Sequence, residues 1–161
     1  MMRCRRGLTF KISHFLSRLL QPIYNRVTHA TTFNTGIDII DAVEDYSKKG
    51  LLRSNTLFAT LHIHDLCTIF PHEPTMTALQ RFLHAYVIDG RVQGITIPSI
   101  MALVRLCLQN QFILYDNKLY QQIRGSGFNS PLTAILANIY LYHWQQDLVG
   151  IVDKKQEVFG R

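Results

Sequence analysis

Tyr120-Gln-Gln-Ile-Arg-Gly-Ser-Gly-Phe-Asn-Ser-Pro131-Leu-Thr-Ala-Ile-Leu-Ala-Asn-Ile-Tyr140 holds a strand end, a glycine-rich loop and a helix in one run. Ser130 is a good N-cap and Pro131 a good first helical residue. Leu132, Ile135, Leu136, Ile139 and Tyr140 then recur at helical spacing and predict one buried stripe. Before the loop, Phe112–Tyr115 and Leu119–Ile123 flank Asp116 and Asn117, residue types that tolerate tight turns, so a hairpin is expected there. Strand and helix contribute to one core, which sets the class as α+β.

Working back along the chain, Pro98 opens a helix carrying Ile100, Leu103, Val104 and Cys107, and Pro74 opens one carrying Met76, Leu79, Phe82, Leu83 and Tyr86. Residues 57–63, Leu-Phe-Ala-Thr-Leu-His-Ile, are apolar on both faces, and the pattern predicts a central strand. Side chains alternate along a strand, so His62 and His64 would share a face. Thr35 and Asp38 form a capping-box pattern for a helix with Ile39, Ile40, Val43 and Tyr46 as its apolar stripe; Lys48, Lys49 and Gly50 are stop signals. Ile12, Phe15, Leu16, Leu19, Leu20 and Ile23 mark a first amphipathic helix that Pro22 is expected to end or kink. Lys11 and Arg18 lie one heptad apart and share a face. The tail from Gly150 is polar, with no partner element expected. One central strand plus a hairpin is a thin sheet, a hint that strands are missing.

The 161 residues are 47% hydrophobic and 17% charged, a globular rather than a disordered composition. No apolar run reaches the roughly 18 residues that span a bilayer, so no membrane is expected. The formal charge of +6 lies wholly before Asp38, in Arg3, Arg5, Arg6, Lys11, Arg18 and Arg26. Three readings of that segment are open: phosphate contact, a mitochondrial transit peptide, or a solvated basic face. The cysteines are Cys4, Cys67 and Cys107; an odd count at wide spacing points to reduced thiols inside a cell, nuclear or cytoplasmic. Cys107 sits in an apolar helical run and reads as core.

Three stretches resemble the reverse transcriptases of Penelope-like retroelements: Ile12–Tyr24 with Ala30–Asn34 after it, Leu57–His72, and Tyr120–Tyr140. The second is similar to the family's first catalytic motif, a strand running into an acidic position and then a Leu-Tyr-Thr-x-Ile-Pro turn. The third is similar to the Gly-rich motif before a palm helix, ending in Leu-Ala-Asn-Ile-Tyr. The resemblance covers nearly the whole chain. It implies part of a right-hand polymerase, mostly helical with a small antiparallel sheet: residues 1–54 as a basic fingers-like region, 55–149 as partial palm, and 150–161 as a polar tail before the family's Asp-Asp hairpin.

The implied chemistry is RNA-templated DNA synthesis, a nucleotidyl transfer between two Mg²⁺ ions held by carboxylates from neighbouring strands. The sequence departs from this pattern. His62 occupies the first metal-binding Asp position, and imidazole is a poor Mg²⁺ ligand. Asp65 falls three residues later, in the turn, and cannot simply substitute. Cys67 stands where the family has an aromatic side chain, and Phe128-Asn129 replaces Met-Gly. No Asp-Asp pair occurs in the 161 residues, which stop at about the place where the family next presents it. The resemblance therefore implies a chain without polymerase activity by itself and without a cofactor of its own. Gln122, Arg124, Gly125, Ser126 and Gly127 correspond to the loop near template and incoming nucleotide. Lys11, Arg18 and Arg26 are the candidates for backbone contact. The expected partner is an RNA or DNA template-primer, bound weakly and without sequence preference. The alternatives are a non-enzymatic nucleic-acid-binding remnant and a decayed fragment that performs nothing. An uncovered sheet edge at residues 57–63 would invite self-association. His62, His64, Cys67 and His72 are also zinc-ligand types, but their spacing matches no common zinc pattern.

Overall fold

A computed structural model describes residues 9–127 and 130–161; Arg3, Arg5, Arg6, Cys4, Phe128 and Asn129 lie outside the described residues. The fold is mixed α+β, about 60% helical with two small antiparallel sheets. In chain order the elements are α1 (Phe10–Thr28), α2 (Gly36–Lys48), α3 (Leu66–Ile69), α4 (His72–Tyr86), β1 (Arg91–Val92), β2 (Ile95–Thr96), α5 (Ile97–Gln109), β3 (Phe112–Tyr115), β4 (Lys118–Gln121), α6 (Pro131–Trp144) and α7 (Gln146–Lys154). They form two compact units. The first holds the chain up to Val27 and His64–Trp144; the second holds Thr28–Ile63 and Gln145–Arg161.

The apolar core lies within the first unit. Helix α4 packs on both α5 and α6. Its Leu79 and Leu83 are buried, as are Ile100, Val104 and Leu108 of α5, and Ile135, Leu136 and Ile139 of α6. Leu16, Leu19 and Leu20 of α1 join the same cluster. These are the helical-period positions, because residues three and four apart share a face. Phe82 meets Tyr142 edge-on at 5.7 Å, and the Tyr86 and Tyr142 hydroxyls are hydrogen-bonded at 2.7 Å. Arg105 of α5 grips both carboxylate oxygens of Glu73 (2.6 and 3.1 Å), which holds the Glu73 carboxyl below the usual range. Cys107 is core, as expected: burial pushes its thiol up, and the Ser13 hydroxyl donates to its sulfur at 3.5 Å.

Helix α1 neither ends nor breaks at Pro22 but runs on to Thr28. Pro22 is exposed, so the carbonyl it leaves without an N–H partner, that of Arg18, can reach water. Ile23 and Tyr24 are buried beyond it, Gln21 donates to Asn25 across it at 2.7 Å, and Arg26 donates to the Tyr86 carbonyl at 3.1 Å. Together these contacts anchor the turn that follows the proline.

The strands are two local hairpins. β1 pairs β2 with Val92 opposite Ile95, and β3 pairs β4 with Tyr115 opposite Lys118. Asp116 and Asn117 take φ +47° and +58°, the left-handed pair that a two-residue hairpin turn demands. The strand expected at 57–63 is absent: those residues adopt no regular element, and Leu57 is 92% exposed. A central strand needs a neighbour on each side, and both sheets among the described residues pair with themselves within a few residues. No sheet edge therefore exists at 57–63, and His62 and His64 share no strand face. The exposed Leu57, Phe58 and Leu61 remain an uncharged, β-prone association hazard.

The second unit carries none of that core cluster. Its α2 begins with the expected capping box: the Thr35 hydroxyl accepts from the Asp38 N–H at 3.4 Å, and Asp38 accepts from the Thr35 N–H at 3.0 Å and the Asn34 N–H at 2.6 Å. The stripe expected to be buried is not, with Ile39 and Ile40 both exposed. The tail does have partners: α7 extends to Lys154, Tyr46 donates to Glu157 at 2.6 Å, and Arg161 pairs by backbone with Thr31 and Phe33 at 2.9 and 2.8 Å.

The capping box has a pH signature. The Thr35 and Asn34 backbone N–H groups hold the Asp38 carboxyl below the ordinary carboxylate range. A carboxyl lowered on folding stabilises the fold fully above its unfolded value, about 3.9, and loses that contribution as pH falls through the folded value beneath it. An NMR titration should thus show the Asn34 and Thr35 amide shifts moving only below pH of about 3.9. Asp38→Asn should abolish that step.

Candidate functional site

The glycine-rich loop is built onto the segment before α4. After β4, the Gln122 N–H donates to the Gln111 carbonyl at 2.9 Å, and Arg124 forms an antiparallel bridge with Pro71. The Gly125 N–H then donates to the Phe70 carbonyl at 2.7 Å, and the Ser126 N–H to the Cys67 carbonyl at 2.9 Å. His72 Nε2 donates to the Gly125 carbonyl at 2.7 Å; a carbonyl can only accept, so the proton sits on Nε2. Gly125 has φ +61°, and a Cβ there would fall on the Thr68 backbone. The left-handed φ favours glycine, and the overlap with the Thr68 backbone excludes any side chain.

Gln111 closes the loop from the other side. Its Nε2 donates to Ser126 Oγ and its Oε1 accepts from the Gly127 N–H, both at 2.7 Å. The Gly127 carbonyl accepts from the Ser130 N–H and the Thr133 hydroxyl, each at 2.8 Å. Ser126 is buried. The N–H groups of Gly125, Ser126 and Gly127 therefore all point into the fold. The outward chemistry of this loop is the exposed Arg124 side chain, beside the exposed Ile123. Gln122 is turned inward locally, its Nε2 donating to the Arg124 carbonyl at 2.8 Å. Ser130 does not cap α6 as expected: its hydroxyl is buried with no partner among the described residues.

His62 is exposed and belongs to the second unit, whereas the loop belongs to the first. Asp65 has φ +52° and stands at the start of α3 without a side-chain cap bond. Among the described residues no group of three His, Cys, Asp or Glu side chains is placed to hold a metal ion. The donor set does not suit a pair of Mg²⁺ ions, which need converging oxygens. Of the basic candidates, Lys11 and Arg18 line one groove on α1, while Arg26 is engaged at the end of α4. No described helix is long and apolar enough to cross a membrane.

No protein-family model, curated protein or solved structure matches the chain.

The site thus rests on its own geometry. Two contributors carried no sequence signal for their roles. Gln111 directly follows a helix end, and nothing local marks its reach to the loop. His72 read as a metal-ligand type and proves to be a backbone donor.

Proposed function

We propose that the chain is part of a reverse-transcriptase-type fingers and palm that has no polymerase activity of its own and keeps nucleic-acid binding. One observation supports the reading. Two of the three stretches that carry the resemblance meet in the fold, the 67–72 segment bonded to the 124–126 loop through Cys67, Phe70 and His72. The loop leaves Arg124 exposed, with no ion-pair partner among the described residues. An intracellular location, nuclear or cytoplasmic, belongs to the same proposal.

A primer-extension assay with Mg²⁺ or Mn²⁺ tests the first half. No template-dependent extension is expected, and none from His62→Asp alone, because one carboxylate cannot hold two cations. Extension above background overturns the inactive reading. For the second half, Arg124→Ala should weaken template-primer binding and flatten its log–log salt dependence by roughly 0.7 to 0.9. The non-enzymatic alternative is favoured by a different observation, Lys11 and Arg18 on α1, which have no ion-pair partner among the described residues.

A further inference from the structure

Lys11, His14 and Arg18 line a groove of about 490 Å³ together with Phe10, Phe15 and, from the β1–β2 turn, Gln93. No carboxylate lines it, and neither Lys11 nor Arg18 has an ion-pair partner among the described residues. Seven residues of helix separate the two cations by about 10 Å along the axis, so they address different charges of an extended ligand. That is complementary to a polyanion. The aromatic component narrows the class: Phe15 is 42% exposed beside the cations, and Phe10 stands 6.5 Å from the His14 ring. Alternating cations and aromatic faces are what a strand with unstacked bases requires.

The turn supplies a third element. Gln93 has φ +49° and Gly94 φ +82°, both in the left-handed region. Asn, Asp or Gly ordinarily fills the first of these positions, because a longer side chain gains nothing locally from it. Here a glutamine occupies it, and its side chain makes no hydrogen bond among the described residues. A strained backbone thus holds a free amide at the rim of a basic groove.

We propose that this groove binds single-stranded nucleic acid, with Lys11 and Arg18 on phosphates, Phe15 as a stacking platform for a base, and the Gln93 amide on a base edge or sugar. The inference deepens the nucleic-acid reading above by naming the strand state and the contacting residues.

Fluorescence anisotropy of a short labelled oligouridylate with the full chain tests it across a salt series. Lys11→Ala and Arg18→Ala should each flatten the log–log salt slope by about 0.7. Phe15→Ala should weaken binding roughly tenfold at every salt concentration with the slope unchanged. Gln93→Gly relieves the left-handed strain, so it should keep or raise the unfolding midpoint while weakening binding; a merely structural role would move both together. If Arg124→Ala abolishes binding while the four groove variants leave it intact, the groove is overturned and the nucleic-acid reading stands. Equal affinity for duplex RNA or for polyglutamate overturns the stacking contact and with it the proposal. Absence of saturable binding by the folded chain overturns both.

Discussion

Gly125→Ala is expected to destabilise the first unit by about 4 kcal/mol. An alanine at φ +61° costs about 1–2 kcal/mol, because its Cβ crowds the following carbonyl. The added Cβ also falls on the Thr68 backbone, so the loop must withdraw. Withdrawal breaks the bonds from the Gly125 N–H to Phe70 and from the Ser126 N–H to Cys67, each about 1 kcal/mol. Gly127→Ala is the internal control: its φ is not left-handed, and the nearest atom to an added Cβ is Gln111 Oε1 at 3.9 Å. It should cost less than about 1 kcal/mol. Urea unfolding of both variants reads the difference. Equal losses would remove the clamp as the cause.

Phe70→Ala should cost a further large amount, about 3–5 kcal/mol, the range for emptying a buried aromatic site. Phe70 is 1% exposed, and its neighbours belong to elements fixed by their own packing, so the cavity cannot collapse fully. Phe70→Leu should recover more than half of the loss. The double variant with Gly125→Ala should lose less than the two single losses combined, since the Gly125 N–H bonds to the Phe70 carbonyl and one displacement already disturbs the other. Strict additivity in denaturant unfolding would mean that core and loop respond independently.

The helices were legible where the apolar period and the punctuation agreed. Thr35 and Asp38 marked a real capping box, Pro98 opened α5, and the stripe through Leu132, Ile135, Leu136 and Ile139 is buried. The hairpin was legible from Asp116 and Asn117 because its pairing is local. The segment 57–63 was misread because a short apolar run records only what a strand would like, not whether a partner exists to pair with it. Ile39 and Ile40 failed for the same reason: an apolar stripe does not say that something covers it. At the candidate site, the requirement for glycine at Gly125 was visible as a motif, but the contacts that impose it come from Thr68 and Phe70, which no local pattern connects to the loop. The α1 cations were legible as a shared face, whereas Arg26 was not, since its carbonyl partner, Tyr86, is remote in sequence.

The pairing of Arg161 with Thr31 and Phe33 closes a long loop of chain. Joining Thr28–Ile63 to Gln145–Arg161 encloses the whole of His64–Trp144. From an unfolded chain, that closure must be met by loop entropy before any contact rewards it. If the first unit has already condensed, the enclosed chain is ordered and the entropy cost of the closure falls. Refolding should accordingly show the first unit gaining amide protection early and the Phe33 and Arg161 amides last. Destabilising the core by Phe70→Ala would then delay the second unit, which contains none of that core.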